Sequence, residues 1–215
     1  DDGLRPAAAP LGCGTPRADA PTRGKLLWIK TSGAPSAYSE TVQQDRSDRR
    51  QNMTQPLFID SLEAAVDHVL DTIPGTIVLG IPLAIGKPNA FVNALYRRIK
   101  GNPSRKLRII TALSLLKPVG KSELERNFLG PLVERVFADY PDLDYATDLR
   151  AHALPSNVEV CEFLMKTGDY IGNDVAQQNY ISTNYTFVAR DMAVQGMNVI
   201  AQAVGQNESP GLNFD

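Results

Sequence analysis

The chain has 215 residues, a formal net charge of −2, a hydrophobic share of 43% and a charged share of 21%. These values exclude a fully disordered or fibrous chain. The near-zero net charge gives no sign of the positively charged surface that nucleic-acid binding needs. No apolar run is long enough to span a membrane. Cys13 and Cys161 lie too far apart in the sequence to indicate a disulfide framework or a zinc site. We therefore expect a globular protein of the cytoplasm, with no nucleic-acid, membrane or metal partner.

The composition changes near residue 53. Residues 1–52 hold five prolines and five glycines and show no apolar periodicity. Such a segment cannot bury enough surface to offset the entropy of ordering it, so we predict a disordered N-terminal extension over 1–52. We predict one folded domain over 53–205 and a polar tail over 206–215.

Helix and strand patterns alternate from residue 57 onward. Apolar residues at helical spacing predict helices over 61–73, 89–100, 122–137, 145–152 and 186–195. A nearly continuous run of branched apolar residues predicts a strand over 76–81 that is buried on both faces. The sequence predicts a second buried strand over 107–113 and further strands over 158–163 and 198–204. Ser122 and Glu125 have the spacing of a capping box, which marks a helix start. The alternation predicts an α/β fold with a mostly parallel sheet covered by helices.

A first candidate binding segment lies between the first predicted strand and the following helix. It contains Gly86, Lys87, Pro88 and Asn89. Open α/β sheets bind ligands at the carboxyl edge of their strands. A helix start also offers unpaired amides to anionic or carbonyl oxygens. The alternative interpretation is that the glycine and the proline only shape a tight turn.

A second candidate segment, Ser182, Thr183 and Asn184, precedes the last predicted helix. These side chains could bind a substrate carboxylate or carbonyl, or they could cap the helix and bond locally. We predict that both segments lie together at one edge of the sheet and form a crevice for a carboxylate or a thioester carbonyl. We assign structural roles to His68 and His152, and no residue pattern indicates a metal site or a Ser-His-Asp or Cys-His catalytic set.

Four segments then resemble, in the same order, motifs of the acetyl-CoA hydrolase/CoA-transferase family. They are 86–98, 111–115, 137–145 and 180–186, within a similarity that covers about two thirds of the chain. The resemblance implies the amino-terminal domain of that family, a CoA-transferase-like α/β domain that a second, similar domain usually follows. It implies an acyl-CoA and a small carboxylate as substrates, coenzyme A entering as a thioester rather than as a permanently bound cofactor.

The resemblance also implies a mechanism. In the family, a glutamate of the second domain attacks the acyl-CoA thioester and forms an acyl-glutamyl anhydride. CoA attacks the anhydride, and the resulting glutamyl-CoA thioester carries CoA to an acceptor carboxylate, or to water in a hydrolase. No residue here matches that glutamate, and Glu208 lies in the polar tail without such a match. We therefore assign no catalytic residue and expect the chain to be inactive alone.

The missing second domain leaves several interpretations open. The chain could be a domain fragment, one half of a two-chain enzyme, or the product of a truncated reading frame, and a second CoA-transferase domain or chain would then be its partner. The alternative functions are a non-catalytic interaction module and a small-molecule-binding α/β domain derived from this fold. The acyl group, and the choice between transfer and hydrolysis, cannot be read from the sequence.

Overall fold

The computed structural model describes residues 57–206 together with the strand segments 26–31 and 212–213. Within these residues the chain forms six strands, which are β1 Leu26–Thr31, β2 Ile77–Gly80, β3 Leu107–Thr111, β4 Val158–Glu162, β5 Val199–Gln206 and β6 Leu212–Asn213. The same residues form six α-helices, which are α1 Leu62–Thr72, α2 Asn89–Lys100, α3 Glu123–Phe137, α4 Asp144–Arg150, α5 Asp174–Gln178 and α6 Val188–Val194. A short 3-10 helix, Ala84–Gly86, follows β2.

The sheet has the strand order β1-β5-β2-β3-β4. The four neighbours β5, β2, β3 and β4 are parallel, whereas β1 and β6 pair with β5 in the antiparallel direction. Leu79 of β2 lies opposite Ile109 of β3, which in turn lies opposite Val160 of β4. The predicted α/β fold with a mostly parallel sheet is confirmed.

Both faces of the sheet are covered, which explains why the central strands are apolar without alternation. On one face Leu79, Ile109 and Val160 belong to a large core that includes residues of α1, α2, α4 and α5. On the other face Val78, Ile110 and Cys161 pack with Met192 of α6. The sheet is therefore the middle layer of three, and the loops at its edges are the places left for a site.

The helix ends follow the local signals in the sequence. The Ser61 hydroxyl caps α1 by accepting from the Ala64 amide at 3.1 Å. Ser122 and Glu125 form the predicted capping box of α3. Gly196, just past α6, has the left-handed φ of 77° that favours glycine at a helix end. Helix α3 is continuous, with Pro131 inside it.

Three elements were not expected from the sequence. Strand β1 lies inside the segment for which we predicted disorder, and α5 and β6 were not predicted. The rest of residues 1–52 lies outside the described residues, as do 207–211 and 214–215 of the predicted tail. Strand β5 continues through Gln206, one residue beyond the predicted domain boundary. Among the described residues, no helix is both long and apolar enough to cross a membrane.

Candidate functional site at the carboxyl edge of the sheet

The parallel strands β2, β3 and β4 end side by side at Gly80, Thr111 and Glu162. Polar side chains are concentrated in this part of the core. The buried polar and charged residues of the described chain are Lys87, Asn89, Asn93, Thr111, Ser114, Glu162 and Asn173. Because a buried polar group is costly unless it is paired, the partners of these side chains show what the edge is built to hold.

Lys87 connects the loops that follow β2 and β3. Its side chain is only 3% exposed, and its Nζ donates to the carbonyl oxygens of Ala112 at 2.6 Å and Leu113 at 3.1 Å. A longer contact of 3.5 Å reaches the Ala84 carbonyl oxygen. Burial lowers the pKa of Lys87 to about 8, and the negative charge of Glu162 partly opposes that shift. Lys87 is thus a buried cation that holds two loops together.

Two of the residues that accept from Lys87 have unusual backbone conformations. Ala84 has a φ of 50° and Leu113 has a φ of 47°. Placing a residue that has a Cβ in this left-handed region costs about 1–2 kcal/mol of free energy. The surrounding contacts must therefore hold both loops in place. The Ala84 amide also donates to the Ala112 carbonyl oxygen at 3.3 Å, which closes the contact between the loops.

Glu162 is a buried carboxylate at the end of β4, with 1% of the residue exposed. Its Oε1 accepts from the Tyr170 hydroxyl at 3.3 Å, whereas its Oε2 is buried and accepts from no donor among the described residues. Its backbone carbonyl accepts from the Ile181 amide at 3.0 Å. Burial and the nearby Glu162 charge both raise the pKa of Tyr170, so this phenol stays neutral at ordinary pH.

Ser114 and Tyr145 join the loop after β3 to helix α4. Their hydroxyl groups lie 2.8 Å apart in a fully buried hydrogen bond. Burial raises the pKa of Tyr145 well above its usual value, and the Ser114 contact opposes this shift. The Ser114 carbonyl oxygen accepts from Arg150 at 2.9 Å, and the same arginine pairs with Asp169 at 2.9 Å. This network fixes the loop after β3 against α4.

Asn89 and Asn93 hold the loop that precedes α4. The Asn89 side-chain amide donates to the Pro141 carbonyl oxygen at 2.7 Å, while its Oδ1 is buried without a partner among the described residues. The Asn93 amide donates to the Asp142 carbonyl oxygen at 2.7 Å, and its Oδ1 accepts from the Asp144 amide at 2.9 Å. Both asparagines therefore contact protein backbone from the same face of α2.

The side chains of Ser182, Thr183 and Asn184 are more exposed than these. The Thr183 hydroxyl donates to Asp191 at 2.5 Å, and the Asn184 Oδ1 accepts from the Thr186 amide at 3.0 Å. These bonds are local ones within the loop before α6 and to Asp191 of that helix, which fits the alternative of local bonding, although no side-chain hydrogen bond caps the start of α6. Ser182 is exposed.

The predicted site residues thus fall into two groups. Lys87, Pro88 and Asn89 are buried, Gly86 is half-buried, and Pro88 occupies the residue immediately before α2. The donors of Lys87 and Asn89 contact protein carbonyls. No hydrogen bond of the described residues joins 86–89 to 182–184. The amide of Ile181, one residue before the second segment, donates to the Glu162 carbonyl oxygen at 3.0 Å, and the Glu162 charge opposes the lowering of the Lys87 pKa. The shared ligand site stays a prediction.

Sequence reasoning missed the buried partners that complete this edge. Glu162, Ser114, Tyr145 and Tyr170 were not predicted as site residues. One signal was available for Glu162, because it is an acidic residue at the carboxyl end of a predicted parallel strand. No local sequence pattern predicts the hydrogen bond between Ser114 and Tyr145, because the two residues are 31 positions apart.

The loops that leave this edge expose large apolar side chains. Leu83 and Ile85 follow β2, and their exposed fractions are 40% and 74%. Ile171, Tyr180 and Tyr185 follow β4 and are 86%, 45% and 68% exposed. Large apolar side chains exposed on these loops are available for contact with another protein or a ligand.

Comparison with known proteins does not assign a family. No protein-family model matches the chain, and no curated protein matches it. Among solved structures, a flavohemoglobin from Malassezia yamatoensis with bound FAD and heme is 17% identical, and the match covers 68% of this chain and 40% of that protein. The TM-score is 0.19, so this likeness supports no statement about the fold or ligands of the present chain.

Proposed function

We propose that this chain is the amino-terminal domain of an acyl-CoA:carboxylate CoA-transferase or acetyl-CoA hydrolase, catalytically incomplete by itself. One observation carries the proposal. Three of the four segments that resemble the family, 86–98, 111–115 and 137–145, are joined to one another by hydrogen bonds of buried side chains. Segments that are distant in sequence and serve one site are expected to meet in this way at the carboxyl edge of a parallel sheet.

Each pair among these three segments has its own contact. Lys87 joins the first segment to the second through Ala112 and Leu113. Asn89 joins the first to the third through Pro141, and the hydroxyl groups of Ser114 and Tyr145 join the second to the third. The fourth segment, 180–186, is connected at its Ile181 amide to the last residue of β4.

In the proposed function these residues build one wall of a cleft that a second domain completes. The rigid loops after β2 and β3 would present backbone groups to the thioester carbonyl or the carboxylate of the substrate. A glutamate of the second domain would supply the nucleophile, and the exposed apolar side chains of the edge would contact that domain. We place this chemistry in the cytoplasm, with an acyl-CoA and a small carboxylate as substrates.

A second candidate function is a non-catalytic interaction or small-molecule-binding domain derived from this fold. It is favoured by the burial of Lys87 and Asn89, whose donors are already used by protein carbonyls. A domain that has lost catalysis would keep such structural contacts. It would also keep an apolar edge for its partner.

Two measurements test the proposed function. First, acetyl-CoA should raise the midpoint of thermal unfolding of the chain, whereas ATP, which lacks the pantetheine arm and the thioester, should raise it less. Second, the chain alone should neither hydrolyse acetyl-CoA nor transfer CoA to acetate, because removal of a covalent nucleophile costs several orders of magnitude in rate. A separately supplied second domain of a CoA-transferase should restore turnover.

Two outcomes would contradict the proposal. If no CoA ester binds even when the second domain is present, the small-molecule-binding alternative is favoured. If the chain alone turns over acetyl-CoA, and the activity survives both Glu208→Gln and Glu162→Gln, then a nucleophile exists in the chain outside the residues considered above. The control for these substitutions is Lys106→Gln, which changes an exposed residue just before β3. It should leave the binding of CoA esters unchanged.

A further inference from the structure

The carboxyl edge of the sheet contains a buried hydrogen-bond acceptor that the described residues leave unused. Glu162 is 1% exposed, and its Oε1 accepts from the Tyr170 hydroxyl at 3.3 Å. Its Oε2 is buried and accepts from no donor among the described residues. A buried carboxylate oxygen without a donor is costly, because it gives up the hydrogen bonds that it makes in water. Glu162 therefore places at this edge an acceptor that needs a donor.

The nearby cation does not supply that donor. Burial is the larger influence on the pKa of Lys87, and the Glu162 charge opposes it, so the two charges lie near each other. They form no ion pair, however, in the part of the chain that the structure describes. The Lys87 Nζ contacts the carbonyl oxygens of Ala84, Ala112 and Leu113. An ammonium group has three N–H donors, and these three carbonyls occupy them.

The buried hydroxyl pair of Ser114 and Tyr145 has the opposite property, a donor without an acceptor. The two hydroxyl oxygens lie 2.8 Å apart, and either group can donate in this bond. Each hydroxyl carries one proton, so the bond uses one proton of the pair. The other proton has no acceptor among the described residues. Ser114 is 3% exposed and Tyr145 is fully buried, so bulk water does not reach the pair.

Glu162 and the hydroxyl pair lie on neighbouring segments of the fold. Glu162 ends β4, which runs parallel to β3. The loops after these two strands continue side by side, because the Leu113 amide donates to the Leu164 carbonyl oxygen at 2.8 Å. Burial is the main cause of the raised pKa of Tyr145, and the negative charge of Glu162 adds to it. The unused acceptor and the unused donor therefore belong to one buried cluster, which also includes Ser114.

We propose that one internal water molecule bridges the Glu162 Oε2 and the free hydroxyl proton of the Ser114–Tyr145 pair. Water fits both groups, because it donates to the carboxylate oxygen while it accepts from the hydroxyl. A larger ligand is not expected, since all three residues are more than nine-tenths buried. The bridge joins the end of β4 to the loop after β3 and to α4. It does not depend on the proposed CoA-transferase function, because it uses only groups inside the fold.

A crystal structure of the full chain, at a resolution that shows ordered water, tests the bridge directly. We expect one density peak within about 3.2 Å of both the Glu162 Oε2 and a hydroxyl oxygen of Ser114 or Tyr145. Direct contact of the Lys87 Nζ with Oε2 would overturn the proposal, as would an absence of density between the two groups. A peak with more than four oxygen neighbours would also contradict it, because such coordination indicates a bound cation.

Magnetic relaxation dispersion of the water nuclei counts long-lived internal water molecules in solution. Glu162→Leu should show one fewer than wild type, because the acceptor is replaced by an apolar group. This variant leaves the Tyr170 hydroxyl without its acceptor, so Glu162→Leu/Tyr170→Phe is measured as well and should show the same loss. The matched control is Thr111→Val, a substitution of similar shape at a buried residue whose hydroxyl donates to the Pro82 carbonyl oxygen. It should keep the wild-type count. Equal counts in wild type and both Glu162 variants would refute the bridge.

Discussion

The Nζ of Lys87 donates to the carbonyl oxygen of Ala112 at 2.6 Å, although the two residues are 25 positions apart in the chain. The contact ties the loop after β2 to the loop after β3, both of which contain a residue with positive φ. Lysine is rarely buried to this extent, because removing an ammonium group from water is costly unless it is paired. Burial of this ammonium group therefore lowers the stability of the folded chain, and in return its hydrogen bonds position the two loops at the carboxyl edge of the sheet.

The first prediction concerns the pH dependence of stability. Burial lowers the pKa of Lys87 to about 8 in the folded chain, whereas an unfolded lysine titrates near 10.4. The unfolded state therefore binds more protons between these values, and the Lys87 contribution to the free energy of unfolding rises as the pH increases from about 8 to about 10.4. We expect a gain on the order of 3 kcal/mol for wild type relative to Lys87→Met over this interval. Urea unfolding at several pH values measures it.

The control for this experiment is Lys106→Met, at an exposed residue just before β3. Its free energy of unfolding should follow that of wild type across the same pH range. A Lys87→Met profile that is parallel to the wild-type profile would show that the lysine is not desolvated in solution.

The second prediction separates a structural from a ligand-binding asparagine. Asn93→Ala should lower the free energy of unfolding by about 2–3 kcal/mol, because it leaves the Asp142 carbonyl and the Asp144 amide without partners. Asn89→Ala should cost less, about 1 kcal/mol, since it removes one hydrogen bond and also an unpaired Oδ1. Chemical denaturation measures both variants, with Ser182→Ala at an exposed residue as the control, expected within about 0.5 kcal/mol of wild type.

The outcome at Asn89 also decides between the two roles considered from the sequence. A stability loss with unchanged affinity for a CoA ester would make Asn89 a residue that positions the loop at 141–144. Weaker ligand binding with an unchanged melting temperature would support direct contact with the substrate.

The third prediction concerns close packing at the end of β2. A Cβ added at Gly80 would collide with the thioether of Met197. Gly80→Ala should therefore cost about 1–3 kcal/mol, the usual range for overpacking a core. In the double variant Gly80→Ala/Met197→Ala the added methyl occupies the space that the methionine leaves, so the combined loss should be smaller than the sum of the two single losses. Additive losses would place the strain of Gly80→Ala elsewhere.

The fourth prediction concerns the reactivity of Cys161. Burial, together with the nearby charge of Glu159, raises the pKa of this thiol to about 12, and the thiolate is the reactive form. In a Cys13→Ser background, iodoacetamide at pH 8 should modify the native chain very slowly, and addition of denaturant should make modification fast. Mass spectrometry of the alkylated peptide gives both rates. Rapid labelling of the native chain would mean that the face of the sheet covered by α6 becomes accessible to the reagent in the folded protein.

Most of the fold was predictable because its signals are local. The bounds of α2, the capping box of α3 and the left-handed Gly196 each depend on residues within a few positions of one another. The nearly continuous apolar run of β2 likewise predicts a strand buried on both faces, as its four buried residues show. Strand β1 was missed because its pairing with β5 is a long-range event that joins Leu26 to Val204, and a short apolar run in a Pro- and Gly-rich segment does not reveal its partner.

For the candidate site, the sequence by itself determined where polar segments follow strands, and so it predicted Lys87 and Asn89 in the segment between β2 and α2. Only the tertiary structure decided what these side chains do. In the structure the Lys87 ammonium group donates to the Ala112 carbonyl oxygen, and Glu162 is buried at the end of β4. The physical reason is that the free energy of a buried charge depends on the groups around it. Those groups come from neighbouring parallel strands and the loops that follow them. These are far apart in the sequence, so local periodicity does not show which of them meet.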